Sequence, residues 1–462
     1  MANSRILVKN GVVLTLTEPG EDFGKGRQAD VLIEAGKIRT IAAGINADDC
    51  EVIDASDCIV MPGLVDTHRH VWQTALRGIC ADDTLKGYMR AIRFLRGKLY
   101  RPEDIYAGNW VGMLEAINAG ITTVFDFSHC INSPQHAIAA IQGLHDSGAR
   151  VVFGYGYNEV PLEHPAFQGF EDRRSDMRHL REKVLSSDDA LVTMAVATSD
   201  LPICGIERLK AEVLGARELG LRISIHANTW EFPERAPEIG LLQQHHLLGS
   251  DLLFVHTNLS NDDEIKMIAD SGGWIASTPE TEMQMCMGPS VIGRFMKAGG
   301  LPTFGTDIIS NNSGDLLVQA RLGLQTQRLL DNAEVLKTHE GPETLTLSIR
   351  DILKAVTING AKALGLDGKI GTLEPGKDAD VILVRTDEIN TMPLNDPAAT
   401  LLLHSHPGNV DTVMVGGTVV KRGGKLIADM GKAKKVLGES FRHIVDQVSK
   451  TIVSLPGGYK AD

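Results

Sequence analysis

Eight short apolar runs alternate with stretches of helical spacing through the middle of the chain, and this alternation restricts the fold more than any other feature. The runs fall at 58–66, 122–128, 151–157, 192–199, 222–227, 252–257, 274–278 and 302–307. Between them the spacing predicts helices over 103–119, 134–148, 204–219, 261–271, 290–299 and 315–329. Strands joined through helices run parallel, because a parallel pair needs a long crossover. Eight such units over 63–370 predict an α/β chain folded as a (β/α)₈ TIM barrel, enlarged by loop insertions. A doubly wound open sheet is the alternative, but no Gly-rich phosphate fingerprint follows an early strand to support it.

The flanks differ. Residues 5–9, 11–15, 30–34 and 37–41 read as short strands separated by Gly and Asn-Gly turns. Residues 350–364 read as a helix, and 381–384 and 412–420 as strands. Val436, Leu437, Phe441, Ile444, Val445, Val448 and Ile452 give the tail a helical spacing. The tail is expected to pack on the barrel or on another subunit.

The chemistry concentrates where strands end. Pro62-Gly63-Leu64-Val65-Asp66-Thr67-His68-Arg69-His70 follows the apolar Cys58-Ile59-Val60-Met61. Alternation along a strand turns His68 and His70 to one side, which is half of a metal site. His226 ends the fifth run, His256 the sixth and Asp307 the eighth. Catalytic groups of such barrels come from these strand ends. Three imidazoles and one carboxylate make a plausible shell for a catalytic divalent ion with room for water.

In this order, Pro62 to His70, Ser224-Ile225-His226-Ala227-Asn228, Phe254-Val255-His256 and Gly305-Thr306-Asp307 resemble the amidohydrolase superfamily of metal-dependent hydrolases. The resemblance covers most of the chain. It implies that 1–62 and 371–430 close into one small β-sandwich domain beside the 63–370 barrel, with 431–462 as a helical tail. It implies metal ligation by His68, His70, His226 and Asp307, with His256 polarising the substrate or positioning the attacking water. Metal-activated water would attack, and Asp307 would shuttle its proton to the leaving group. Binuclear members carry a lysine on strand four. Residues 192–199 contain none, so one ion per chain is expected, Zn first, with Fe, Co or Mn as alternatives.

Many mononuclear deaminases of this superfamily carry His-x-x-Glu on strand five, where the Glu protonates a ring nitrogen. This chain has Thr229 in that place, and Glu231, Glu280 and Glu282 are the nearby substitutes, the last two better placed after strand seven. The chain looks most similar to the branch holding phenylurea and molinate hydrolases, beside chlorohydrolase-like and deaminase-like members. The leading expectation is hydrolysis of a non-peptide C–N bond in a urea, amide, carbamate or thiocarbamate. A deaminase or dechlorinase of an amino-substituted heterocycle is the alternative. A non-catalytic assembly barrel is a third class, disfavoured because all four ligands are kept. Trp72, His129, Tyr155, Thr229, Glu280, Glu282 and Asn311 are candidate substrate-lining residues; Tyr88, Phe94, Tyr157, Trp230, Met283 and Met285 would also suit an aryl or alkyl group.

Composition narrows the partners. A net charge of −13 without a basic cluster argues against nucleic acid and anionic membranes. No run of 18 apolar residues is present, and no apolar leader opens the chain. Six scattered cysteines without a C-x-x-C read as free thiols. The expectation is a cytoplasmic enzyme of a small molecule, working as a homo-oligomer, a dimer or tetramer.

Overall fold

The structure, a computed structural model, describes residues 5–18, 22–229, 237–339 and 341–454, and for 452–454 the backbone alone. Trp230, Glu231 and the side chain of Ile452 lie outside the described residues. Among the described residues no helix is long and apolar enough to cross a membrane.

Eight parallel strands form the barrel in chain order: Leu64–Arg69, Ile121–Ser128, Arg150–Gly156, Val192–Ala197, Ile223–Ala227, Leu252–His256, Trp274–Ser277 and Pro302–Phe304. Each pairs with the next. Only a narrow seam joins the last strand to the first. Thr67 Oγ1 meets Thr303 Oγ1 at 2.7 Å. Just past the last strand, Asp307 N–H donates to His68 O at 2.9 Å and His70 N–H donates to Asp307 O at 2.8 Å. Gly305 permits this approach. A Cβ there would collide with His68 O and lie 2.8 Å from His68 Cβ.

The run 58–66 is not one strand. Cys58–Pro62 belongs to a different sheet and pairs antiparallel with Val381–Arg385, whereas Leu64 begins the barrel. The break falls at Gly63, where any Cβ would strike Thr122. Nine strands form that second sheet, five from the N-terminal segment and four from the C-terminal one. The first, Arg5–Val13, passes through the Asn10-Gly11 pair that was read as a turn. Asn10 sits at φ 65° with its N–H on Asp30 Oδ1, so the pair is a bulge inside one strand. Its first half lies beside Glu51–Asp54 and its second half beside Cys58–Pro62. The sheet therefore forks, and Ile6, Val31 and Ile53 share one core with Val60, Val381 and Met414. The small β domain expected from the two chain ends is thus present, its strands joined in one branched hydrogen-bonded network. Arg150, opening the third barrel strand, ties it to the barrel through Asp380 at 3.0 Å and Asp378 at 2.9 Å. We propose that the domain division at 1–62 with 371–430, 63–370 and 431–462 follows these boundaries.

The six expected barrel helices are present, for example Pro102–Asn118 and Leu316–Leu336. Two more were not read from the sequence, Phe170–Lys183 and Glu238–Gln244. The first buries only Arg173, Met177 and Leu180 of its 14 residues, too thin a stripe to stand out from its charges. The expected helix at 350–364 is two, Ile349–Ala355 and Ile358–Ala363, broken where Thr357 leaves helical geometry. The tail helix, Met430–Ser454, packs on Pro102–Asn118. It buries Ala433, Ser440, Ile444 and Val448 and leaves Phe441 and Val445 exposed.

The seam gives a stability test. Gly305→Ala should cost about 1–3 kcal/mol by forcing the last strand from the first. Gly215→Ala, where a Cβ meets nothing within 4 Å, should gain about 0.5–1 kcal/mol from helix entropy. Urea unfolding of both variants reads the difference. Equal midpoints would mean that the seam accommodates a side chain.

Candidate active site

Five side chains gather at the C-terminal mouth of the barrel. His68 Nε2 lies 3.2 Å from Asp307 Oδ1 and 3.4 Å from His226 Nε2. His70 Nε2 lies 3.5 Å from the same Asp307 oxygen. His68, His226 and His256 form one group whose ligand atoms lie within 4.8 Å of one another, and His68, His70 and Asp307 form another. Four of the five are buried and His226 is nearly so. His256 and Asp307 take left-handed backbone angles, φ 70° and 58°. Such strain costs about 1–3 kcal/mol per residue and collects at functional sites.

The rings are oriented from behind. His70 Nδ1 faces Phe127 O at 2.8 Å, and His226 Nδ1 faces Asp200 Oδ1 at 3.2 Å. Thr278 Oγ1 lies 3.1 Å and Glu282 Oε1 3.6 Å from His256 Nδ1. A neutral ring that donates from Nδ1 keeps an acceptor lone pair on Nε2. His70 and His226 therefore turn lone pairs inward. Burial pushes the His68 imidazole down to about 4 and His70 well below its usual value. Burial works to raise the Asp307 carboxyl, but the His68 hydrogen bond and the nearby His256, His68 and His70 hold it well below the carboxylate range. Neutral imidazoles around an ionised carboxylate suit a divalent cation, and converging lone pairs without one repel.

Around this cluster is a cavity of about 50 Å³, with Tyr88, Met89, Met285 and Met287 among its apolar walls. A neighbouring cavity of about 300 Å³ shares Met89, Arg93 and Asp200 with it. His129 and Thr229 line the inner cavity. His129 stacks on His70 with ring centres 3.8 Å apart.

Other candidates lie elsewhere. Trp72 is buried behind the wall and donates from Nε1 to His129 Nδ1 at 2.9 Å, so it orients a lining residue. Tyr155 donates to Asp176 on Phe170–Lys183, hence it faces the helix layer and not the mouth. Glu282 is turned back to accept from Thr278 N and Ser277 Oγ, both close to its own helix start. Glu280 accepts from Ser313 and Gln319. Neither glutamate lines the cavity, so neither supplies an acid from its wall. Asn311 and Tyr157 also lie outside that lining; Phe94 belongs to the outer cavity, and Met283 is exposed.

Two charged lining residues were missed, Asp200 and Arg93, together with Leu85, Met89, Thr281, Met287 and Ile308. Asp200 follows the fourth strand, where a carboxylate at a strand's C-terminal end is a functional signal. Arg93 lies in Met89–Arg96, a wide helical turn of π type, and nothing in the residue pattern marks it.

This barrel, with its mouth of imidazoles and a carboxylate, is that of a metal-dependent hydrolase acting on C–N bonds other than peptide bonds. The chain belongs to the amidohydrolase family, which it matches over residues 59–420. It is 29% identical over 431 residues to a 5-methylthioadenosine/S-adenosylhomocysteine deaminase of Pyrococcus furiosus, covering 91% of this chain and 96% of the relative. It is 26% identical over 436 residues to a 5'-deoxyadenosine deaminase of Methanosphaera stadtmanae, covering 91% and 94%. An adenosine deaminase from Xanthomonas campestris with bound zinc superposes with a TM-score of 0.81 at 21% identity, over 97% of this chain and 99% of that one. A variant of atrazine chlorohydrolase TrzN from Arthrobacter aurescens, complexed with zinc and atraton, gives 0.81 at 22%, over 95% and 100%.

Asp200 should act on metal retention through the His226 ring. Asp200→Ala is expected to weaken zinc binding about 10- to 100-fold, as loss of a carboxylate behind a ligating histidine does. Competition with a chromophoric chelator measures it. Unchanged affinity would make Asp200 a cavity-wall residue only.

Proposed function

We propose that His68, His70, His226 and Asp307 hold one divalent ion, zinc first among candidates, and that the site hydrolyses the carbonyl C–N bond of a urea, amide or carbamate, or the C–N or C–S bond of a thiocarbamate. The convergence of His68 and His70 on Asp307, with His226 set against His68, carries the reading. No lysine stands on the fourth barrel strand, Val192–Ala197, to bridge a second ion. A divalent cation so held lowers the pKa of coordinated water towards about 7.

The chain's own groups do the rest. Asp307 accepts the proton of the attacking water at a carboxylate oxygen and returns it to the leaving nitrogen or sulfur. His256, fixed by Thr278 and Glu282, turns Nε2 towards the oxygen on which charge develops. The apolar walls exclude water and take an alkyl or aryl group.

Thr229 lines the cavity where a ring-protonating Glu would be needed, and Glu280 and Glu282 do not. This supports carbonyl hydrolysis. The second reading, removal of an amino group from a heterocycle, draws on the deaminase names of the relatives, and on names alone it would rank first. In that case Asp200 replaces Glu280 and Glu282 as first suspect, being the one carboxylate besides Asp307 in the described lining. A homo-oligomer remains part of the proposal, supported by exposed Phe441 and Val445 on the tail helix.

Two experiments follow. Asp307→Asn should leave the circular dichroism unchanged and cut turnover about 10²- to 10⁴-fold; near wild-type turnover at neutral pH would refute the proton shuttle. A panel of aryl ureas, anilides, carbamates and thiocarbamates is run against adenosine, cytosine, guanine and aminotriazines. Release of an organic amine or thiol is expected. Efficient ammonia release would instead establish the second reading, and Asp200→Asn should then abolish it.

A further inference from the structure

Four arginines are buried in the described structure: Arg69, Arg93, Arg150 and Arg173. Three meet carboxylates. Arg69 pairs with Glu115 at 2.6 Å, Arg150 with Asp378 and Asp380, and Arg173 approaches Glu159 at 3.8 Å. Arg93 is only 3% exposed, and its one hydrogen bond runs from Nη1 to the backbone oxygen of His129 at 2.7 Å. Among the described residues no Asp or Glu oxygen lies within 4 Å of it. A guanidinium cannot escape burial by losing its proton. A buried cation without a counter-charge is costly, and a carboxylate is the partner whose two oxygens match its fork.

Arg93 is not sealed. Two nitrogens of Arg69 are buried and unpartnered, whereas none of Arg93 is in that condition. It lines both the inner and the outer cavity, so its free N–H groups open at their junction. Arg208 in the outer cavity is already taken by Glu212 at 2.7 Å and Glu159 at 3.2 Å. Beside Arg93, the His129 ring accepts at Nδ1 from Trp72. An indole N–H only donates, so the neutral ring carries its proton on Nε2. That donor has no protein partner and is not sealed.

We propose that Arg93, with the Nε2–H of His129, binds a carboxylate of the substrate, so that this site acts on small organic acids. The acid group sits at the junction of the two cavities, and the reacting C–N bond reaches the His68–Asp307 cluster. What is cleaved rests on the hydrolase reading above; what is bound does not.

The test is calorimetric titration of the full-length chain, zinc-loaded and zinc-stripped, with benzoate and its neutral isostere benzamide. Benzoate should bind about 10- to 100-fold more tightly, the worth of hydrogen bonds to a charged group. The preference should appear with and without zinc. Arg93→Met should abolish it at unchanged zinc content, and Arg93→Lys should keep part of it. Equal binding of the two probes by the wild-type protein overturns the proposal, and this comparison needs no variant to fold. A preference that survives Arg93→Met, or that vanishes on zinc removal, also overturns it, since the carboxylate would then sit elsewhere or on the metal. Failure of the hydrolase reading would appear as absent turnover with benzoate binding intact.

Discussion

The backbone of Asp307 is hydrogen-bonded to His68 on one side and His70 on the other, and the mouth of the barrel depends on this pair of bonds. They join the last strand to the first where the last strand is only three residues long. The same residue turns its carboxylate back to within 3.2 Å of His68 and 3.5 Å of His70. Closing the barrel and bringing His68, His70 and Asp307 together are therefore one structural event. The left-handed φ of Asp307 is what lets one residue do both. Gly305, two residues earlier, leaves out a side chain that would press on His68 and hold the strands apart.

From that seam the site is supported outward. Phe127 O, Asp200 and the Thr278–Glu282 pair each fix one ring by its Nδ1. The histidines thus reach the centre in set orientations, which lowers the cost of organising a cation or a substrate. Asp200 links this support to the cavity wall. Arg93 and His129 bring donors, and Asp307 and Asp200 bring carboxylates, to one lining, so the cavity carries both signs of charge. Charge placed in this way selects the orientation as well as the class of ligand.

The fold was legible because strand and helix periods differ and both were strong in the barrel. The gathering of His68, His70, His226, His256 and Asp307 was legible because parallel barrels put strand ends at one mouth. Boundaries that depend on close contact were not. Gly63 divides an unbroken apolar run between two sheets because Thr122 lies against it, and no local pattern announces that neighbour. Asn10-Gly11 has the composition of a hairpin turn, yet Asp30, far along the chain, makes it a bulge. Glu280 and Glu282 follow a strand end, as lining residues would, but their carboxylates bind nearby N–H and hydroxyl groups instead. Arg93 became visible only when its neighbours could be counted, since an unpaired cation is defined by what does not surround it.

A single cation held by groups from the first, fifth and eighth strand ends would satisfy this site. Elemental analysis of the purified chain beside His226→Ala measures it directly. About one divalent ion per chain is expected, as for a three- or four-ligand catalytic site, with loss of that ion in the variant and the fold retained. Two tightly held ions per active chain, or full metal retention by His226→Ala, would contradict it.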